Sequence, residues 1–104
     1  MKWLLTDEAE ADLIAGREWI ETDNAAAAQA MLETARELFD RLAKFPEMGA
    51  EARLKGSEFA GVRFFVLSPP FNRWIVFYRV TDQVEILRVL YGVQNWRQQP
   101  RRFF

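Results

Sequence analysis

Hydrophobic residues recur every three or four positions through the first half of the chain, and this spacing predicts two helices. Asp7 and Glu10 have the spacing of a capping pair that opens the first helix. Its apolar stripe consists of Ala9, Leu13, Gly16 and Ile20, with Trp19 beside it. A turn at 22–24 supplies the cap of the second helix. The second stripe is wider, which predicts contacts with two neighbours, and consists of Ala28, Met31, Leu32, Ala35, Leu38, Phe39, Leu42 and Phe45.

The second half of the chain holds three runs of β-branched and aromatic residues, which predict three strands. The runs are VRFFVL from Val62, WIVFYRV from Trp74 and VEILRVLYG from Val84. Pro46 ends the second helix, and residues 47–61 are expected to be a loop or an irregular edge. With a β-prone segment at 2–6, the order is β-α-α-β-β-β. We therefore expect an α+β fold in which a helix hairpin packs on one face of a small, mainly antiparallel sheet.

Composition narrows the chemistry that this fold can support. The chain has 104 residues, enough for one domain spanning 1–104, and residues 95–104 form a basic and aromatic C-terminal tail. It contains no cysteine and no histidine, which excludes thiol nucleophiles, cysteine or histidine metal sites and the commonest general base. No apolar run reaches membrane-spanning length, so a cytoplasmic protein without cofactor, metal or membrane partner is expected.

The two halves of the chain differ strongly in charge. Residues 1–52 hold 5 Lys and Arg against 12 Asp and Glu, whereas residues 53–104 hold 9 against 3. Glutamate favours helices, and this preference accounts for part of the asymmetry. It does not explain the excess of cations in the second half, which suggests an anionic partner for that half.

Each predicted strand carries one arginine, namely Arg63, Arg79 and Arg88. A guanidinium is costly to bury without a partner, so two interpretations remain open. In the first, Arg79 and Arg88 lie at the rim of a buried face and pair with Asp12 or Glu85. In the second, the arginines bind an anionic partner. Trp74 and Tyr78 share one strand face and are expected in the core.

The chain resembles a toxin of the RelE/ParE superfamily of type II toxin–antitoxin (plasmid stabilisation) systems, and specifically the ParE branch. The resemblance covers nearly the whole chain and rests on the order and spacing of several short patterns. These are A-x-x-D-L at Ala9, Asp12 and Leu13, Trp19-Ile20 before an Asp-Asn turn, L-x-x-x-P-x-x-G from Leu42 to Gly49, Val62-Arg63, Val76-Phe77-Tyr78-Arg79, and the run from Ile86 to Gly92. Tyr91 stands where ParE-like proteins commonly have histidine.

The resemblance implies a toxin held inactive by a cognate antitoxin of the ParD type. ParE-like toxins act on DNA gyrase, whereas RelE-like toxins share the fold and cleave messenger RNA on the ribosome with a basic cluster and a late tyrosine. Arg63 matches one position of that cluster, but Phe65, Ile75 and Val93-Gln94 stand where other cations are expected. Tyr91 precedes the glycine and does not match the late tyrosine.

We therefore expect a gyrase-binding inhibitor with no catalytic residues and no direct nucleic-acid binding. A metal-independent mRNA endoribonuclease and a non-toxic, antitoxin-binding relative remain the alternatives. Arginine and aromatic residues dominate interface energetics, which selects the candidate contacts. The predicted target-binding residues are Arg63, Arg79, Arg88, Trp96, Arg97, Arg101, Arg102, Phe103 and Phe104. The predicted antitoxin-binding residues are Trp19, Arg63, Arg73 and Arg79. Removal of residues 96–104 is expected to abolish toxicity while leaving the fold and the antitoxin complex largely intact.

Overall fold

The computed structural model describes all 104 residues and contains two helices and five strands. In chain order these are β1 (Trp3–Leu5), α1 (Asp7–Glu21), α2 (Ala25–Lys44), β2 (Ala50–Glu51), β3 (Arg63–Val66), β4 (Trp74–Val80) and β5 (Val84–Tyr91). Short 3-10 helices span Ser57–Phe59 and Pro100–Arg102. The predicted order is confirmed, and the two-residue strand β2 is added within the segment expected to be irregular.

The strands form one sheet in the order β1-β5-β4-β3-β2. β1 is parallel to β5, and every other neighbouring pair is antiparallel. β1 lies at one edge of the sheet, and the helix hairpin follows it in the chain. The chain then returns to the sheet at the opposite edge with β2. The prediction of a mainly antiparallel sheet is confirmed.

Side chains close the N-terminus of each helix. The N-cap of α1 is Thr6, whose hydroxyl accepts a hydrogen bond from the Ala9 amide at 3.1 Å. The expected Asp7–Glu10 capping pair is therefore wrong, because the helix begins one residue earlier. Asn24 caps α2 by accepting from the Ala27 amide at 3.0 Å, as the turn at 22–24 predicts.

The main core lies between the two helices and one face of the sheet. Trp74 and Tyr78 belong to it, which confirms their predicted burial. Its other members include Met31, Ala35, Leu38, Phe39, Leu42, Leu67, Val76, Val84, Ile86 and Val89. Phe45 was expected to end the stripe of α2 but is 63% exposed. The helix ends at Lys44, and Phe45 leaves the helical conformation at φ −131°, so its side chain is off the stripe.

The opposite face of the sheet is covered by the C-terminal tail, residues 95–104. Trp96 is only 8% exposed, and its ring centroid lies 5.0 Å from those of both Phe64 and Phe77. The Phe104 ring lies 5.1 Å from that of Phe77. These residues belong to a second apolar cluster, so the tail completes the fold. The fold was expected to stay largely intact without residues 96–104, whereas the burial of Trp96 predicts a loss of stability on their removal.

Candidate functional site

Asp12 on α1 holds the arginine of β5 in a two-pronged ion pair. The register between β4 and β5 shifts at Phe77/Tyr78, where Leu87 is the extra residue of a bulge. Beyond the bulge, Arg88 Nε and Nη2 donate to the Asp12 carboxylate at 2.8 and 2.9 Å. The same carboxylate accepts from the Val89 amide at 2.9 Å, where β1 no longer borders β5. Of the two partners considered for Arg88, the structure selects Asp12.

Arg88 also reaches the tail, because its Nη1 donates to the carbonyl oxygen of Phe103. One guanidinium thus joins α1, β5 and the tail. The hydrogen bond to Asp12 raises the pKa of Arg88 above its ordinary value, although burial acts in the opposite direction. At least three of the five N–H donors of the Arg88 guanidinium therefore make hydrogen bonds within the fold.

A groove of about 690 Å³ lies beside this ion pair, between the C-terminal end of β4, the middle of β5, the start of α1 and the tail. We call it the arginine groove. Its walls consist of Thr6, Glu8, Glu58, Phe59, Val62, Arg79, Leu87, Arg88, Arg101, Arg102, Phe103 and Phe104. Six of the nine predicted target-binding residues meet here, namely Arg79, Arg88, Arg101, Arg102, Phe103 and Phe104.

The other three predicted target-binding residues have structural contacts outside the arginine groove. Trp96 is buried in the second apolar cluster, so its indole is not on the surface of this conformation. Arg97 lies over the Trp96 ring at 4.3 Å from its centroid and donates to the Ala52 carbonyl at 3.1 Å. Arg63 donates to the Gly49 carbonyl at 2.7 Å.

The predicted antitoxin-binding residues fall into two separate places. Trp19 and Arg73 meet at Tyr91, near the end of β5, with the Trp19 ring 5.0 Å and the Arg73 guanidinium 5.2 Å from the Tyr91 ring. Arg63 and Arg79 lie on β3 and the far end of β4. The resulting exposed patch of Trp19, Arg73 and Tyr91 was only partly anticipated, because Tyr91 was not among the predicted contacts.

Tyr78 has a structural role that the sequence does not reveal. Its hydroxyl donates to the Pro46 carbonyl at 2.7 Å and accepts from the Gly49 amide at 2.9 Å. It thereby ties the loop after α2 to the sheet. A Cβ on Gly49 would overlap the Tyr78 hydroxyl, so this position requires glycine. Burial raises the pKa of Tyr78, and the Gly49 hydrogen bond and the charge of Arg63 offset only part of that rise.

Tyr78→Phe is expected to destabilise the fold by about 2 kcal/mol, because the Gly49 amide and the Pro46 carbonyl lose their shared partner. The matched control is Tyr91→Phe, because Tyr91 is exposed and its hydroxyl makes no hydrogen bond within the chain, and the expected change is within about 0.5 kcal/mol. Urea denaturation measures both values. An equally small decrease in the free energy of unfolding in both variants would contradict the structural role of Tyr78.

The raised pKa of Tyr78 also predicts a dependence on alkaline pH. The folded chain holds the phenolic proton more tightly than the unfolded chain, whose ordinary pKa is 10.0. This stabilisation is complete below that pH and is lost as the pH rises through the folded pKa. Between pH 9 and 11.5 (about the range in which tyrosine titrates), the wild type should lose stability more steeply than Tyr78→Phe.

The chain offers no arrangement of side chains for metal binding. No three His, Cys, Asp or Glu residues are grouped so that they could hold an ion, and no helix is long and apolar enough to cross a membrane. The chain is a small α+β domain in which arginines and aromatic rings meet at the arginine groove and at the patch around Tyr91. Arginine and aromatic side chains are enriched at the energetic centres of protein interfaces.

Comparison with known proteins identifies the family. Residues 4–96 match the model of the ParE toxin of type II toxin–antitoxin systems, parDE, and the chain therefore belongs to this family. The prediction from the sequence is confirmed at this level. The chain is also similar to a chain of a solved structure described as the chromosomal ParDE TA system from P. aeruginosa, with 22% identity and a TM-score of 0.72. That match covers 89% of this chain and 97% of the other, and it confirms the fold. No curated protein matches the sequence.

Proposed function

We propose that this ParE-family toxin inhibits DNA gyrase by binding it in the cytoplasm, and that a ParD-like antitoxin neutralises the toxin. The observation that carries the proposal is the arginine groove, where Arg79, Arg101 and Arg102 meet the rings of Phe103 and Phe104. Arginine and aromatic side chains are the residues that anchor protein interfaces. A toxin that acts by binding needs such a surface and no turnover site.

The surroundings of Arg63 support binding over RNA cleavage. Its guanidinium is committed to the Gly49 carbonyl, and Phe65, two residues on, packs against the main core. Ile75 on the next strand packs against the second apolar cluster. The positions of Phe65 and Ile75 therefore supply no further cation to neutralise a phosphate, and no histidine exists to move a proton.

Controlled expression of the chain in growing bacteria tests the proposal. We expect growth arrest with filamentation and a DNA-damage response, and relief of all three when the antitoxin encoded beside the toxin gene is co-expressed. Arrest accompanied by cleaved transcripts would instead support an mRNA endoribonuclease. Normal growth at an expression level confirmed by immunoblot would support a non-toxic, antitoxin-binding relative.

Point substitutions in the tail locate the target surface without removing the tail. The double substitution Arg101→Ala and Arg102→Ala should reduce killing at least tenfold, because both side chains are exposed at the arginine groove and support little of the fold. Arg17→Ala is the matched control, since its only ion pair is an exposed one with Glu21 at 3.9 Å. Colony counts after induction measure the effect. Full toxicity of the double variant would exclude these arginines as target contacts.

A further inference from the structure

Arg79 is the strand arginine that lacks a partner. It is half-buried on β4, yet no carboxylate oxygen lies within 4.0 Å of its guanidinium, and its side chain donates no hydrogen bond within the chain. By contrast, Arg63 and Arg88 each donate to a carbonyl or carboxylate. Partial burial of a cation without an acceptor costs free energy that a bound anion would recover.

Glu85 is not the acceptor of the Arg79 guanidinium, although it lies directly opposite Arg79 across the β4–β5 pair. No ion pair forms between them. The side chain of Arg79 instead lines the arginine groove, as that of Arg102 does from the tail. Arg102 has no carboxylate partner either, and its Nη1 donates to the Gln99 side chain at 3.0 Å. Two guanidinium groups of the groove are therefore available to an external anion.

The remaining walls restrict the kind of anion that fits. Phe59, Val62, Leu87 and Phe103 give the groove an apolar lining suited to a hydrophobic side chain. Glu8 and Glu58 also line it, and they would repel a densely charged ligand such as a polyphosphate. Arg88 is paired with Asp12, and Arg101 is paired with Glu58 at 2.6 Å. Arg79 and Arg102 against Glu8 therefore leave the groove a modest positive charge. This combination suits a peptide that carries one or two carboxylates beside an apolar side chain.

We propose that the arginine groove is the docking site of an acidic segment of the antitoxin, with a carboxylate bound by Arg79 and Arg102 and a neighbouring apolar side chain against Phe59 and Phe103. This inference rests on the proposed function, which supplies the antitoxin as the partner. Because the exposed tail arginines proposed to contact the target line the same groove, a bound antitoxin segment excludes the target by direct occupancy.

The test measures binding of the antitoxin encoded beside the toxin gene to purified Arg79→Ala, Arg79→Lys and Arg17→Ala variants by titration calorimetry. We expect Arg79→Ala to weaken binding at least about 30-fold, the low end of the range for truncation of one partner in a desolvated charge pair. Arg79→Lys should fall between Arg79→Ala and wild type, because lysine keeps the charge but loses the two-pronged geometry. Arg17→Ala should bind as the wild type does. The salt dependence of the affinity should be smaller in Arg79→Ala.

A stability measurement separates this role from a structural one. Arg79→Ala and Glu85→Gln should unfold at the wild-type urea concentration or above it, because Arg79 has no partner within the chain. A lowered midpoint in both variants would show that Arg79 and Glu85 pair in solution, and it would overturn the inference. Wild-type affinity of Arg79→Ala would overturn it as well, while leaving the antitoxin partner established. Failure of the wild-type toxin to bind the antitoxin would overturn the proposed partner and this inference together.

Discussion

Asp12→Ala is expected to destabilise the protein by about 3 kcal/mol, the lower part of the range for breaking a buried ion pair. The side chains of Asp12 and Arg88 are only 14% and 24% exposed, so water replaces little of what the carboxylate provides. The substitution leaves the Arg88 guanidinium without its main partner and the Val89 amide without its acceptor. Because Arg88 also holds the Phe103 carbonyl, the tail should become more mobile.

Urea denaturation of Asp12→Ala and of Arg17→Ala provides the comparison. Arg17 pairs with Glu21 on the surface of the same helix, and its loss should change the free energy of unfolding by less than about 0.5 kcal/mol. Faster amide exchange at residues 101–104 in Asp12→Ala would report the loosened tail. A loss below about 1 kcal/mol for Asp12→Ala would show that this ion pair contributes no more than a surface pair.

Trp96→Ala is expected to destabilise the protein by about 3–5 kcal/mol, as removal of a buried aromatic side chain does in other cores. The indole packs between Phe64 and Phe77 and covers the face of the sheet that the helices do not reach. Its loss leaves a cavity over β3 and β4 and removes the ring on which Arg97 is placed. Deletion of residues 95–104 should cost more, because Phe104 is lost with it.

Trp19→Ala is the control for this prediction, since it removes the same side chain from a position that is 57% exposed. Trp19 contacts Trp74 and Tyr91 by ring edges, so its loss should cost about 1 kcal/mol. Thermal unfolding followed by far-UV circular dichroism gives the unfolding midpoints of the two variants, and we expect that of Trp96→Ala to be the lower. Equal midpoints for Trp96→Ala and Trp19→Ala would mean that the tail does not dock on the sheet in solution.

The docked tail changes how toxicity must be tested. A deletion that unfolds the second apolar cluster would abolish toxicity whether or not the tail touches a target. Exposed side chains at the arginine groove, such as Arg101 and Arg102, distinguish the two causes because they contribute little to the fold. For this reason the double substitution, and not a deletion, tests whether the tail contacts the target.

Local pattern was enough to predict the helices and the three long strands. The hydrophobic period of three to four residues and the runs of β-branched residues involve positions that are close together in the chain. Both can therefore be recognised directly in the sequence. Burial of Trp74 and Tyr78 followed from their shared strand face. The family itself was also recognisable, because its short patterns keep their order along the chain.

Contacts between distant residues were harder to predict. Arg88 had two acidic candidates, and only the fold shows that the bulge at Leu87 and the end of β1 bring it to Asp12 rather than Glu85. The tail lacks periodicity, so its basic and aromatic composition suggested exposure. A signal was nevertheless present, since Phe64, Ile75 and Phe77 make the second face of the sheet apolar, and an apolar face requires a cover.

A supercoiling assay with purified gyrase tests the central claim most directly, namely that this chain acts by binding gyrase through the arginine groove. Relaxed plasmid, ATP and gyrase are incubated with the wild-type chain, with the Arg101→Ala and Arg102→Ala double variant, or with Arg17→Ala. We predict that the wild type and Arg17→Ala block supercoiling and trap cleaved DNA, while the double variant does so at least tenfold less. Unimpaired supercoiling at saturating wild-type toxin, together with ribosome-dependent cleavage of messenger RNA by the same preparation, would contradict the account.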